Sequence, residues 1–295
     1  MQKLTDILRT ECCIFIGAGI PKVLGFPLWN ELALDLIDFV WERKLDLNKT
    51  KVTYDIVSHL RTFVSNGKLI SAITYCRDIL RECGKEKEYQ DKIKAILYDK
   101  DKYNKASANE VYLQLQKLLK KAVVLQTNLD KSIEEFCNLS AHIHTNLPNA
   151  ISAPCLIYLH GIVTDPSSWI ITRDEYDKFY QRSNTLAMFI QSVFKNYDVV
   201  FLGYSFSDKE VLDEIAKVAG CGRKYVMVIG EMPLTKGANI VLENEYKYYG
   251  IDVVRYNIEQ NGYDDFQRFL RDINAALVPP VKIAVQGQDR SRLNE

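Results

Sequence analysis

The feature that most constrains the fold is a repeated unit: a short, uninterrupted apolar run that ends in a turn and leads into a helical pattern. The first copy is the clearest. Cys12 to Ile16 (CCIFI) runs into Gly17-Ala18-Gly19, after which Leu32, Leu36, Phe39 and Val40 recur at helical spacing. Four more apolar runs, Ala122–Thr127, Leu156–His160, Val199–Tyr204 and Tyr225–Gly230, read as buried strands, and Ile251–Tyr256 is a sixth candidate. Most are followed by helical patterns, as in SDKEVLDEIAKVAG. Runs buried on both faces and alternating with helices specify an α/β fold, a Rossmann-like doubly wound parallel sheet of about six strands.

From about residue 46 to 121 the pattern changes. YDIVSHLRTFVSNG, LISAITYCRDILRECG and NEVYLQLQKLLKK carry amphipathic periodicity without alternation, so three or four helices are expected there as a smaller helical lobe. Residues 1–278 read as one domain and 279–295, beyond a double proline, as a tail or linker.

Lys and Arg number 38, as do Asp and Glu, which argues against a dedicated nucleic-acid surface. No stretch reaches the roughly 20 apolar residues of a membrane helix, and the N-terminal segment lacks a signal-peptide layout. The 7 cysteines are scattered. Cys12, Cys13, Cys76 and Cys155 lie in apolar runs where a free thiol acts as a small hydrophobe, so a cytoplasmic setting is expected.

Four segments at the ends of expected strands carry candidate chemistry, and such ends converge on one crevice in a doubly wound sheet. Gly17-Ala18-Gly19 suits close approach to a phosphate, with a purely structural turn as the alternative. In Gln126-Thr127-Asn128-Leu129-Asp130, Asn128 and Asp130 suit a ribose or a held water, while Asp130 equally suits a helix cap. His160, before Gly161, is placed as a general base or as a structural histidine. Gly203-Tyr204-Ser205-Phe206-Ser207-Asp208 offers Ser205 to a phosphate or ribose, or Ser207 or Asp208 as a cap; it lacks the flanking glycines of a nucleophile elbow. His142 and His144 alternate in AHIHTN and would share one face, but no third metal ligand is evident, and surface polar residues are the simpler reading.

The order GAGI, GFPLW, QTNLD, HG and GYSFSD, from Gly17 to Asp208, resembles the sirtuin-like family. The resemblance implies an NAD-binding catalytic domain. It places Gly17, Ala18 and Gly19 on the NAD phosphates, Asn128 at the nicotinamide ribose and Asp130 in support of the pocket. It makes His160 the catalytic base and puts Gly203 and Ser205 near the cofactor. The departures are as informative. The sequence has no CxxC pair, so the zinc lobe of deacetylase sirtuins is not expected. Pro21 stands where a serine is usual, and Pro27-Leu28-Trp29 replaces a proline-aspartate-phenylalanine-arginine run. This zinc-free version resembles the bacterial anti-phage branch.

That resemblance implies an NAD glycohydrolase that depletes NAD in abortive infection, releasing nicotinamide and ADP-ribose. An NAD-dependent protein deacylase and a non-catalytic NAD or ADP-ribose-binding subunit are the rivals. Such an activity needs a gate, and the length beyond the catalytic fold leaves little for a sensor. A homo-oligomer, a HerA-type ATPase or another defence partner, or continuation into a longer protein are the expected routes to control. No metal, membrane or direct nucleic-acid partner is expected.

Overall fold

The computed structural model describes residues 2–47, 51–99, 101–102, 105, 109–148, 150–182, 185–205, 209–218, 220–231, 236–259 and 262–278. Its centre is a seven-stranded sheet: β1 (Cys12–Ile16), β2 (Ala122–Gln126), β3 (Ala141–Ile143), β4 (Cys155–Tyr158), β5 (Val199–Leu202), β6 (Tyr225–Glu231) and β7 (Ile251–Asn257). All neighbours pair in parallel, in the order β3-β4-β2-β1-β5-β6-β7. This is the Rossmann-like α/β fold that the apolar runs specify, with one strand more than expected. The seventh, β3, holds His142 in three half-buried residues at the sheet edge. A short, half-polar edge strand carries no apolar run to betray it.

The chain's alternation explains the two faces. Ile14, Ile16, Val124, Leu156, Val200 and Leu202 point into one core, while Cys13, Phe15, Val123, Leu125, Ile157, Val199 and Phe201 point into the other. Successive side chains on a strand leave on opposite sides, and both sides are roofed by helices, so the central strands are apolar on both, apart from the buried Gln126 at the end of β2. The first core is covered by α1 (Gln2–Leu8), α2 (Trp29–Glu42), α6 (Glu110–Leu119) and α12 (Gly262–Leu277). The second is covered by α9 (Thr185–Asn196), α10 (Lys209–Val218) and Tyr246 of α11 (Lys236–Tyr248). The cysteines in the runs are core atoms: burial pushes the thiols of Cys12 and Cys76 up to about 12, far from a reactive thiolate.

Three helices, α3 (Tyr54–Ser65), α4 (Leu69–Glu82) and α5 (Glu86–Leu97), fill the stretch expected to be helical, ahead of α6. They start where local chemistry permits: the Thr53 hydroxyl accepts from the amide of Ile56 at the head of α3, and Asn109 does the same for Val111 at the head of α6. Val57, Leu60, Ile73 and Leu80 turn inward onto the first core. No helix among the described residues is long and apolar enough to cross a membrane.

The chain leaves β1 for β2, β3 and β4 on one side and later returns to the other side of β1 as β5, so the strand order reverses between β1 and β5. The two loops that open there are locked backbone to backbone. Gly17 donates to the carbonyl of Leu202 at 3.0 Å and Gly19 to that of Gly203 at 2.8 Å. A Cβ on Gly17 would sit 2.5 Å from the Gly203 oxygen and 2.5 Å from the Tyr204 Cα. Gly203 itself has φ +62 and the Ile20 amide nitrogen 2.7 Å from where its Cβ would stand. The glycines are thus demanded by the fold as well as by any ligand. Gly17→Ala is expected to unfold at clearly lower denaturant, by more than the ~1 kcal/mol of an average substitution; an unchanged midpoint would show that the loops tolerate separation.

Candidate active site

Four loops meet at the carboxyl edge of the sheet, and across from them stands the helical stretch α3–α4. Between the two lies a cleft of about 1260 Å³. Ala18, Gly19, Thr127, His160, Gly203 and Ser205 line its sheet side; Val64, Lys68, Ile70 and Ser71 line the other. The cleft therefore gathers representatives of all four segments singled out in the sequence. Phe206, Ser207 and Asp208 lie outside the described residues, as does the tail 279–295.

After β1 the chain does not pass straight into a long helix. Pro21–Leu24 form one 3-10 turn, and α2 begins only at Trp29. Within the loop, Ile20 donates to the Gly17 carbonyl and Lys22 to that of Ala18, both at 3.2 Å, while Gly17 and Gly19 are bonded to the β5 loop. Pro21 has no N–H. What the loop presents to the cleft is a surface of close approach at Ala18 and Gly19, with few amides left to point outward.

The segment after β2 holds the least satisfied group described. Asn128 is 4% exposed, and neither its Nδ2 nor its Oδ1 has a hydrogen-bond partner. A buried amide left in this state costs about 1–3 kcal/mol, so the fold keeps it against its own stability. Asn128 and Asp130 line a chamber of about 20 Å³ next to Ala18 and Trp29, room for one water. Asp130 is also fully buried and has a second role. Its Oδ1 accepts from the backbone N and the hydroxyl of Ser132, at the start of α7 (Ser132–Cys137), and Tyr112 donates to Ser132 Oγ at 2.7 Å. The cap position of α7 falls on Lys131, which makes no side-chain cap bond, so Asp130 is not the cap residue itself; it lies one residue ahead and holds the first helical amide, that of Ser132. Burial pushes its carboxyl up, and the Ser132 bonds oppose that.

His160 follows β4 by two residues and is 1% exposed. Its backbone is pinned by Ile170, which donates to its carbonyl at 3.0 Å. Gly161, at φ +89, lets the chain turn against Ser168, whose carbonyl oxygen would stand 2.2 Å from a Cβ. Tyr176 meets the imidazole edge-on at 5.3 Å, and Tyr180 Oη lies 2.9 Å from Nε2. Tyr180 comes from a π-helical segment, Asp177–Arg182, directly after α8 (Arg173–Tyr176); such segments concentrate at functional sites. Burial, reinforced by His144, pulls the imidazole down to about 3. His144 is not the surface residue its pattern suggests: it is 5% exposed, and its Nε2 lies 2.7 Å from the Ser168 carbonyl. The local pattern does not show this burial, because the loop that covers His144 arrives from twenty-odd residues downstream. Among the described residues no group of three or more His, Cys, Asp or Glu side chains is placed to hold a metal ion.

The imidazole shift has a measurable consequence. Unfolded His160 titrates near 6.5 and folded His160 near 3, so below 6.5 the unfolded chain binds a proton that the folded one refuses. Stability then falls with falling pH, by about 2 kcal/mol between pH 6.5 and 5 at ~1.4 kcal/mol per unit. Denaturant midpoints at the two pH values should converge for His160→Gln relative to the parent; equal acid sensitivity in both proteins would contradict the buried, neutral imidazole.

Residues 122–254 match the family model of the SIR2-like domain. That SIR2-like segment contains Asn128, Asp130, His160, Gly203 and Ser205, while the glycine loop after β1 precedes it. No curated protein matches the chain. A solved structure described as "Structural Basis for the Mechanism and Regulation of Sir2 Enzymes" aligns with 94% of this chain and 96% of its own, at 11% identity and a TM-score of 0.43. Within and around the SIR2-like segment, the sequence reading missed Arg173, Tyr176 and Tyr180. Their segment, RDEYDKFY, carries no motif; only an unusual density of tyrosine marks it.

Proposed function

We propose that the protein is an NAD glycohydrolase, cleaving NAD to nicotinamide and ADP-ribose, with the cleft as its active site. The observation that carries this reading is the unpartnered amide of Asn128, buried at the end of β2 in the SIR2-like segment. A cleft of about 1260 Å³ accommodates a dinucleotide, and the chamber beside Asn128 and Asp130 is of the size of the second substrate, water.

The chemistry follows from the substrate. The nicotinamide nitrogen carries positive charge in NAD, so the C1′–N bond breaks with its electron pair going to the ring, and nicotinamide leaves neutral. The ribose C1′ becomes oxocarbenium-like and a water oxygen adds to it. Asn128 orients the ribose or that water through its two unused polar atoms. His160, uncharged at neutral pH, accepts the proton the water gives up, directly or from a ribose hydroxyl. Gly17, Ala18, Gly19, Gly203 and Ser205 let the dinucleotide lie against the switch point, and Asp130 supports the chamber.

The same burial makes His160 a weak base in the resting arrangement, and the Tyr180 hydroxyl occupies its Nε2. Both features support an enzyme that needs activation. The proposed enzyme acts in the cytoplasm in anti-phage defence, gated by self-assembly or by a partner such as a HerA-type ATPase.

A time course of nicotinamide release from NAD by the full chain, alone and with candidate partners, tests the proposal. Release that depends on an added acetyl-lysine peptide would assign a deacylase instead. Binding of ADP-ribose without release under any condition would leave a binding subunit.

A further inference from the structure

A dinucleotide brings two negative charges on its diphosphate, and the described glycine loop has few donors to meet them: the amides of Gly17, Gly19, Ile20 and Lys22 all donate within the protein, and residue 21 is proline. The Ala18 amide, at the cleft lining, is the donor that remains in the loop, and one amide leaves most of that charge to be met elsewhere in the cleft. Among the described residues that line it, the cationic side chains are Lys68 and Arg173, and the carboxylate is Glu210. We propose that Arg173, with Lys68, is the diphosphate anchor, so that the phosphates are gripped from the helical side of the cleft and the glycine loop supplies only close approach. This rests on the nucleotide reading of the site above.

The placement of the two cations supports it. Both are fixed to the first turns of α4. Lys68 is the residue immediately before that helix, with its ammonium 5.4 Å from the centre of the Phe63 ring. Arg173 donates from its backbone N to Thr74 Oγ1 and from Nη2 to Ser71 Oγ, each at 3.0 Å. These bonds hold the guanidinium at the wall of the cleft. None of the described carboxylates forms an ion pair with it, although its sequence neighbour Asp174 is paired with the buried Arg77. An arginine oriented by a serine and not neutralised by a carboxylate keeps the planar fork that recognises phosphate oxygens two at a time. Arg77 completes the logic. Only 6% exposed, it ties α4 to Thr172 and Asp174, so the segment that bears Arg173 is fastened to the helix that Lys68 precedes.

The test uses the full chain and two probes, ADP-ribose and inorganic pyrophosphate, titrated calorimetrically at several salt concentrations. For the parent, both are expected to bind with affinity that falls as salt rises. Arg173→Ala is expected to weaken both by about 10–100-fold, the usual worth of a charge-assisted pair; Arg173→Lys should recover part of the loss, and adding Lys68→Ala should flatten the salt dependence. Unfolding midpoints of the variants report whether they remain folded. Parent-like pyrophosphate affinity in folded Arg173→Ala, or no pyrophosphate binding by the parent, overturns the anchor. Binding of pyrophosphate through Arg173 with no binding of ADP-ribose keeps the anion site and removes the nucleotide reading instead, so the two failures are distinguishable.

Discussion

Asn128→Ala is expected to lower nicotinamide release by about 10²–10³-fold while leaving the folded protein at least as stable as its parent. Most truncations of a buried side chain cost stability, because they remove contacts and leave a cavity. Here the parent side chain carries two buried polar atoms with no partner, a standing cost of about 1–3 kcal/mol that the alanine protein no longer bears. The gain offsets the small loss of packing. The rate, by contrast, loses a polar group poised for ribose or water, and removal of such a positioned group lowers turnover by about 10²–10³-fold. Thermal midpoints and NAD turnover measured on the same preparations separate the two effects. A midpoint lowered by many degrees would mean that the amide serves the fold, and an unchanged rate would remove Asn128 from the reaction.

His160→Gln should reduce turnover by about 10²–10⁴-fold, the usual contribution of a general base, with KM for NAD and affinity for ADP-ribose nearly unchanged. Glutamine is the informative replacement. It can still meet the Tyr180 hydroxyl, whereas alanine would leave a gap beneath Tyr176 and an unanswered Oη, confusing a folding defect with a chemical one. Loss confined to kcat places His160 on the proton that leaves the water. A parallel loss of ADP-ribose binding would make it a wall of the cleft, and retained turnover would move the base elsewhere.

Much of the candidate cleft was legible because its lining sits at strand ends. Asn128, Asp130, His160 and Gly203 each follow an apolar run, and a parallel sheet brings such ends to one edge whatever the helices between them do. The bond between Asp130 and Ser132 is likewise local, since a carboxylate two residues ahead of a helix start can reach its first amide. Arg173, Tyr176 and Tyr180 were not: nothing in RDEYDKFY indicates that this segment folds back over His160 and against α4. β3 escaped for the converse reason, being too short and too polar to show a run. His144 looked like a surface residue because its burial depends on Ser168 and Phe179, which no window of sequence contains.

Local physics therefore determined the α/β class, most of the strands and the glycine turn, since strand burial and close backbone approach are written in residue type. The tertiary structure alone decided what each group is free to do. It engaged the amides of the glycine loop and left Asn128 without partners. It removed His160 from water and placed two cations on the far wall of the cleft. Those outcomes depend on which remote atom arrives within about 3 Å, the reach of a hydrogen bond, and residue type carries no record of that.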